Sequence, residues 1–222
     1  MMQSIIATID VVLLTIQDDR LCVVLSKRDK EPYANLDALP GGYIHAEEDR
    51  DSLDAAVRIL QQKTSLIPPY LEQLRTFAGA SRDPRGWSIS VVYFALVNND
   101  LIISAQQPGL AIFPVDELRR LPFDHNEIIE TAVDRIRNKS QYSSLPCYLA
   151  GETFTLPRLQ KIYEACLGEG LNKVSFRRKM DELGVLEEIP GQTESGGAHR
   201  PAQVYGLKSE FKNQLKLLER GL

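Results

Sequence analysis

The stretch "GGYIHAEEDRDSLDAAVRILQQKTSL" (residues 41–66) decides how the first half of this 222-residue chain is interpreted. It opens with Gly41 and Gly42, and a backbone without side chains can approach phosphate oxygens closely. An ordinary turn is the alternative explanation for such a pair. Apolar residues then recur at helical spacing, which predicts an amphipathic helix with an inward face made of Leu53, Ala56, Val57 and Leu60. The stretch therefore predicts a phosphate-binding loop that leads into a helix.

The segments around this helix predict a mixed α+β domain. The segments "IIATIDVVLLTI" (5–16) and "LCVVLSK" (21–27) flank the polar turn "QDDR" and predict a hairpin. The β-branched and aromatic segment "SISVVYFALV" (88–97) predicts a central strand. The segment "DHNEIIETAVDRIRNKSQY" (124–142) predicts a second helix, with an inward face made of Ile128, Ile129, Ala132, Val133 and Ile136.

The second half of the chain has a different order of elements. The segments "TLPRLQKIYEACLG" (155–168) and "KVSFRRKMDELG" (173–184) predict two helices that end at glycines. The segments "VLEEIP" (185–190) and "AQVYGLK" (202–208) predict a pair of strands. Helix, turn, helix and a two-stranded wing form the order of a winged helix-turn-helix. We therefore expect two domains, residues 1–140 and residues 141–222.

Composition excludes several classes of protein. The chain is 43% hydrophobic and carries a net charge of −4, which is ordinary for a globular protein. Residues 1–139 hold 15 basic and 20 acidic residues, a balance of −5, whereas residues 140–222 hold 11 and 10, a balance of +1. No apolar run is long enough to span a membrane, and the three cysteines have no metal-ligand spacing. We expect a cytoplasmic protein without a membrane partner.

The segment "RILQQKTSL" (58–66) resembles the helix of the Nudix box, Arg-Glu-apolar-x-Glu-Glu-x-Gly-apolar. Arg58 matches this pattern, and Glu48 is the candidate for the loop glutamate of the motif. The three helix glutamates, which would bind Mg²⁺ and support hydrolysis, are replaced by Ile59, Gln62 and Lys63. The resemblance implies a Nudix-like α/β/α sandwich with a mixed sheet. The replacements predict that this chain has no catalytic residues and no metal site. The alternative is a metal site rebuilt from Glu47, Glu48, Asp49 and Asp51, whose charges are otherwise explained as those of a solvated loop.

The segment "ASRDPRGW" (80–87) resembles part of the ADP-ribose pyrophosphatases. Arg82 and Arg85 could hold a diphosphate through bidentate hydrogen bonds, and Trp87 could stack on a ring. A simple turn at "DPRG" is the alternative. The candidate ligand-binding residues are Gly41, Gly42, Glu48, Arg58, Arg82, Arg85 and Trp87.

The helix at residues 173–184 has the pattern of a recognition helix. Val174, Met180 and Leu183, with Phe176 beside them, are expected to face the core, so that the basic residues point outward. A solvated basic face is the alternative. Candidate DNA-binding residues on the helix and the wing are Lys173, Ser175, Arg177, Arg178, Lys179, His199, Arg200 and Gln203.

Taken together, the chain resembles the Nudix-related transcriptional regulators of NAD metabolism, the NrtR family. The resemblance implies a Nudix domain that senses ADP-ribose or a related nucleotide, and needs no other cofactor. It also implies a winged helix that binds operator DNA as part of a homodimer. Such a protein would repress genes of NAD synthesis or uptake until ADP-ribose releases it from DNA.

Two other functions remain open at the level of sequence. The first is an ADP-ribose pyrophosphatase with an accessory C-terminal domain, which a turnover assay would distinguish. The second is an RNA-binding adaptor. The basic helix lacks the interleaved aromatic residues that stack on unpaired bases, which disfavours RNA.

Overall fold

The computed structural model describes residues 5–194, 201–212 and 214–218. The chain divides into two compact units, and the first contains the residues up to Thr15 together with Cys22–Val133. The second unit contains Ile16–Leu21 and the chain from Asp134 onward. Within the described ranges, no helix has both the length and the apolar character needed to cross a membrane.

A seven-stranded mixed sheet forms the centre of the first unit. The strand order is β3-β2-β1-β6-β5, with β4 paired to β1 and β7 paired to β2. The pair β1–β6 is parallel, whereas β4 runs antiparallel to β1 and β5 antiparallel to β6. The predicted hairpin and central strand are therefore confirmed. The strands are β1 (Ile6–Gln17), β2 (Arg20–Lys27), β3 (Asp37–Ala38), β4 (Gly41–Tyr43), β5 (Tyr70–Gly79), β6 (Ser88–Leu96) and β7 (Leu110–Pro114).

Both faces of the sheet are covered. Strand β1 contains eight consecutive buried residues, which is possible only if the side chains on its two faces are both packed. The helices are α1 (Ser52–Thr64), α2 (Asn99–Ala105) and α3 (His125–Ser140). The predicted apolar face of α3 is confirmed, since Ile128, Ile129, Ala132, Val133 and Ile136 are all buried.

Helix α1 exists as predicted, and its inward face was predicted correctly at two of four positions. Ala56 and Leu60 are buried, whereas Leu53 is 46% exposed and Val57 is 36% exposed. Ala55 and Ile59 pack into the core with β1 in their place. Periodicity defines an apolar side only broadly, and the small side chains of the two alanines let this side of the helix pack tightly into the core.

The ends of α1 follow from local chemistry. The carboxylate of Asp51 accepts hydrogen bonds from the backbone N–H groups of Leu53 and Asp54, which caps the first turn. At the other end, Ser65 adopts a φ of 58°, in the left-handed region that glycine favours. The helix therefore ends in a left-handed residue, as a glycine would allow, although serine stands at this position.

The second unit confirms the predicted winged helix. Its helices are α4 (Leu156–Leu167) and α5 (Lys173–Leu183), and its strands are β8 (Phe154–Thr155), β9 (Leu186–Glu194) and β10 (Ala202–Leu207). Thr155 caps α4 and Asn172 caps α5, while Gly168 and Gly184 end them with positive φ. The strands form a sheet in the order β8-β10-β9.

Candidate functional sites

A cavity of about 330 Å³ in the first unit brings together several segments that are distant in sequence. Its walls come from β1, β2, the glycine pair in β4, one side of α1 and the loop that precedes β6. Five of the seven predicted ligand-binding residues line it: Gly41, Gly42, Arg58, Arg82 and Arg85.

The two remaining candidates lie elsewhere. Glu48 is outside this cavity, and its exposed carboxylate pairs with the ring of His45 at 3.0 Å. Trp87 does not line the cavity either; its carbonyl accepts a hydrogen bond from the backbone N–H of Ile6.

Close packing requires glycine at position 41, whereas at position 42 a Cβ would make an ordinary contact. In the pairing of β4 with β1, Gly41 lies opposite Asp10 and Gly42 lies opposite Ile9. A Cβ on Gly41 would lie 2.2 Å from Oδ1 of Asp10, which no real structure tolerates. A Cβ on Gly42 would lie 3.4 Å from the side chain of Ile59. A side chain at either position would also narrow the cavity.

The helix side of the cavity does not fit a divalent metal. Ile59 is only 2% exposed, and its hydrocarbon side chain fills the space behind Gly42. Gln62 offers an amide, and the ammonium of Lys63 lies 3.5 Å from the carboxylate of Asp29. Hard cations need clustered oxygen ligands. Across residues 5–194, 201–212 and 214–218, no group of three or more His, Cys, Asp or Glu residues could hold a metal ion.

Arg58 holds the loop that precedes α1. Its Nε and Nη2 atoms each donate to the carboxylate of Asp49 at 2.7 Å, and Nη2 also donates to the carbonyl of Tyr43 at 3.0 Å. The hydrogen bonds from Arg58 lower the pKa of Asp49 to about 2. Arg58 thus lines the cavity while its guanidinium is engaged with the protein.

Arg82 is the centre of a buried polar network. Its side chain is 9% exposed, and it donates to both carboxylate oxygens of Asp124 at 2.9 and 3.0 Å and to the hydroxyl of Ser88 at 3.2 Å. Its Nη2 atom lies 3.6 Å from Asp10, which in turn accepts a hydrogen bond from Ser90 at 2.7 Å. This arginine therefore has a structural role that its sequence context did not indicate.

His125 is buried beside this network and also lines the cavity. Its Nδ1 accepts a hydrogen bond from the backbone N–H of Leu39 at 3.1 Å, and its Nε2 lies 3.8 Å from Asp10. Burial lowers the pKa of this imidazole, which agrees with a ring nitrogen that acts as an acceptor. Sequence reasoning missed His125, Asp10 and Asp124, because no local pattern connects them.

Arg85 presents a partly exposed guanidinium to the cavity, with its side chain 33% exposed. Two of its nitrogens bond the carboxylate of Asp83 at 3.0 and 2.6 Å, and a third contacts the hydroxyl of Tyr43. The guanidinium of Arg28 lies 4.8 Å from the ring centroid of Phe123, and that of Arg85 lies 6.0 Å from it. Two arginines and two aromatic rings thus meet at one wall.

The structure confirms most of the predicted inward face of α5, but not Val174. Phe176, Met180 and Leu183 are buried, and Phe176 packs edge-on against Tyr163 at 5.3 Å between centroids. Val174 was expected in the core but is 78% exposed. Because consecutive residues are 100° apart around a helix, a side chain two positions before Phe176 points almost to the opposite side.

The basic residues of α5 are divided between two sides of the helix. Lys173, Ser175, Arg177 and Arg178 are exposed. The side chain of Lys179 is only 13% exposed, and its ammonium donates to Glu182 at 3.1 Å. Four of the five candidate residues on this helix are therefore exposed, and Nε of Arg178 lies 3.9 Å from the carboxylate of Glu182.

On the wing, Gln203 is used to hold the two strands together. Its amide nitrogen donates to the carbonyls of Ile189 at 3.0 Å and of Gln192 at 3.3 Å, beside an irregularity in the pairing of β9 and β10. The other two wing candidates, His199 and Arg200, lie outside the described residues.

Two family descriptions match the chain. Residues 6–134 match the NUDIX domain, and residues 146–207 match the NrtR DNA-binding winged helix domain. The chain is 38% identical to a protein of Acinetobacter baylyi named ADPR responsive transcriptional repressor NtrR, over 91% of this chain and 82% of that protein.

Solved structures of Shewanella oneidensis NrtR are similar in both sequence and fold. Its complex with a 27mer DNA superposes with a TM-score of 0.88 at 36% identity, covering 97% of this chain and 99% of that one. Its NUDIX domain in complex with ADP ribose superposes with a TM-score of 0.54 at 36% identity, covering 60% of this chain and 90% of that one.

The buried position of Arg82 gives a stability prediction. We expect Arg82→Ala to lower the free energy of unfolding by about 3–5 kcal/mol, because the substitution leaves the carboxylate of Asp124 buried without its partner. Arg75→Ala is the matched control, since Arg75 pairs at 3.0 Å with Glu127 on α3 but both side chains are more than half exposed.

The control should change the free energy of unfolding by about 1 kcal/mol or less. Urea denaturation of both variants measures the difference. Equal, small effects of the two substitutions would contradict the structural role assigned to Arg82. In that case Arg82→Ala could also be used to test whether Arg82 contacts the ligand. If the substitution instead destabilises the fold, a change in ligand affinity would not show whether contact was lost.

Proposed function

We propose that this chain, which belongs to the NrtR family of NUDIX and winged-helix proteins, is a repressor that ADP-ribose releases from operator DNA. In this proposal residues 1–140 sense the nucleotide and residues 141–222 bind DNA. The protein acts in the cytoplasm as a homodimer on genes of NAD synthesis or uptake. A symmetric dimer would present its recognition helix twice to a palindromic operator.

The observation that carries the proposal is the charge of the cavity. Its lining includes seven lysines or arginines and four aspartates or glutamates, a formal balance of +3 in a chain whose net charge is −4. The balance is still +1 when Asp49 and Asp124, which pair with Arg58 and Arg82 of the lining, are included. A cavity lined mainly by one sign of charge concentrates ligands of the opposite sign. A diphosphate carries the complementary charge, and guanidinium groups bind phosphate oxygens with good geometry.

The wall formed by Arg28, Arg85, Tyr43 and Phe123 suits a nucleotide in particular. Arg85 is the arginine of the "RDPRGW" segment that remains partly exposed within the cavity. The rings of Tyr43 and Phe123 supply flat apolar surface beside the cations, and adenine or ribose can pack on such surface. In this proposal Arg85 takes the diphosphate-binding role that the sequence suggested for Arg82 and Arg85 together.

The same cavity argues against hydrolysis. Nudix hydrolysis depends on metal ions that polarise the phosphoryl group and activate water. Ile59 replaces a carboxylate with hydrocarbon that packs behind Gly42, and Lys63 places a cation where a metal would need an anion. The protein can therefore bind the nucleotide without consuming it.

The exposed side of α5 supports the DNA-binding part of the proposal. Lys173, Arg177 and Arg178 lie on one exposed surface of the helix, and the core side chains of α5 point away from it. Cations at this position can contact phosphates or the edges of guanine bases in the major groove.

We expect purified protein to release no AMP from ADP-ribose in the presence of Mg²⁺ or Mn²⁺. Calorimetry should also give the same affinity for ADP-ribose in EDTA and in Mg²⁺. The triple variant Ile59→Glu, Gln62→Glu, Lys63→Glu is the matched comparison, because it restores the carboxylates, and its affinity should become dependent on Mg²⁺. Metal-dependent release of AMP by the wild-type protein would favour the pyrophosphatase instead.

Arg85→Ala should weaken the binding of ADP-ribose by about 1.5–3 kcal/mol, the usual contribution of a hydrogen bond to a charged group. Arg85→Lys keeps the charge but loses the planar guanidinium, so its affinity for ADP-ribose should lie between those of the wild-type protein and Arg85→Ala. Arg50→Ala, which removes an exposed arginine outside the cavity, is the control. Equal affinity in all four proteins would place the diphosphate elsewhere.

The central experiment is DNA binding with and without the effector. We expect ADP-ribose to weaken the affinity for the DNA upstream of the protein's own gene by roughly 5- to 150-fold, the usual range of coupling between two sites. By the same linkage, that DNA should weaken ADP-ribose binding by the same factor. A mixture of AMP and ribose 5-phosphate serves as the control. Tight binding of ADP-ribose with no change in DNA affinity would contradict a ligand-responsive repressor.

A further inference from the structure

Val174 is the most exposed large hydrophobic side chain in the part of the chain that the structure describes. It lies at the second position of α5 and is 78% exposed. Other apolar residues of this helix are buried: Phe176 is 2% exposed, Met180 2% and Leu183 3%. Single exposed apolar side chains are common on protein surfaces, so what Val174 could do depends on the residues around it.

The surroundings of Val174 are charged and polar. Arg177 and Arg178 follow it by three and four positions, which places all three side chains on one side of the helix. Lys173 and Ser175 flank Val174 in sequence, and both are exposed. An apolar protein surface would be a poor partner for this group of residues, because docking would remove three cations from water. A polyanion that also carries a small apolar group would fit.

We propose that Val174 packs against the 5-methyl group of a thymine in the operator. This inference rests on the proposed DNA-binding role of α5. The methyl group of thymine is the apolar feature of the major-groove edge of the base pairs, and apolar side chains recognise it by contact. Residues near the N-terminus of a recognition helix are those that reach base edges.

The local backbone supports this assignment. The side chain of Asn172 accepts hydrogen bonds from the backbone N–H groups of Val174 and Ser175, both at 3.0 Å, which fixes the first turn of the helix. A β-branched side chain on a fixed turn has few accessible rotamers, so its methyl groups are held in one direction. Val174 therefore adds specificity for thymine to the affinity that the neighbouring cations supply.

The test uses a duplex selected from random sequence by the full-length protein. Each thymine of a half-site is replaced in turn by deoxyuridine, which differs only by the missing methyl group. For the wild-type protein, replacement of thymine by deoxyuridine at one position should weaken binding about fourfold per half-site. This is the factor expected when one methylene-sized group is no longer buried. Val174→Ala should bind the thymine and uracil duplexes at that position with affinities within about twofold of each other.

The variants separate contact from folding. Val174 is exposed and alanine has the higher helix propensity, so Val174→Ala should fold at least as well as wild type. Val174→Ile should keep the preference for thymine. Val57→Ala is the matched control, because Val57 is a valine on the exposed side of α1, and it should bind both duplexes as wild type does.

Two results would overturn the inference while leaving the repressor intact. In the first, wild-type protein binds every uracil duplex as tightly as the thymine duplex. In the second, Val174→Ala keeps the full wild-type ratio between the two duplexes. Failure of the wild-type protein to select any duplex would overturn the proposed function itself, and this inference with it.

Discussion

The guanidinium of Arg82 makes the interaction on which the cavity of the first unit depends. Its bonds join the segment that precedes β6 to the segment that begins α3, through the carboxylate of Asp124. The same group lies beside Asp10, whose side chain leaves no room for a Cβ on Gly41. Since attraction between charges is strong when water is excluded, this network fixes several cavity walls relative to one another. Phe123 and His125, the neighbours of Asp124 in sequence, take their places in the cavity as a consequence.

A cavity of this kind can bind a ligand without hydrolysing it. The first unit has a strand pairing that brings the glycine pair against β1. It also has the capped helix α1 and the arginine-rich loop before β6. What is replaced is the small set of carboxylates that a metal would need. Ile59 adds to the apolar core at that point, and Lys63 adds to the positive charge of the cavity. Both changes suit a sensor, because a sensor must return its ligand unchanged when the concentration of that ligand falls.

The DNA-binding unit shows how a core determines a recognition surface. Phe176, Met180 and Leu183 set the rotation of α5, and that rotation decides which residues face solvent. The result places Val174 with Arg177 and Arg178 and turns Lys179 toward Glu182. The wing is organised in the same way: the amide of Gln203, a candidate for DNA contact by sequence, is bonded to the backbone of β9. The structure therefore gives Gln203 a role in the shape of the wing.

The sequence by itself determined the features that rest on local chemistry. Alternating and β-branched runs predicted β1, β2 and β6, and glycines predicted the ends of α4 and α5. Tertiary structure alone decided that Leu53 and Val57 of α1 and Val174 of α5 face solvent. Periodicity shows that a helix has an apolar side without stating which residues at its edge the neighbouring layer accepts. It also decided that Arg82 would pair with Asp124 and that Arg85 would remain partly exposed in the cavity. Arg82 and Asp124 are 42 positions apart in the sequence and meet only when the sheet and α3 have packed. No local sequence pattern indicates that they will pair.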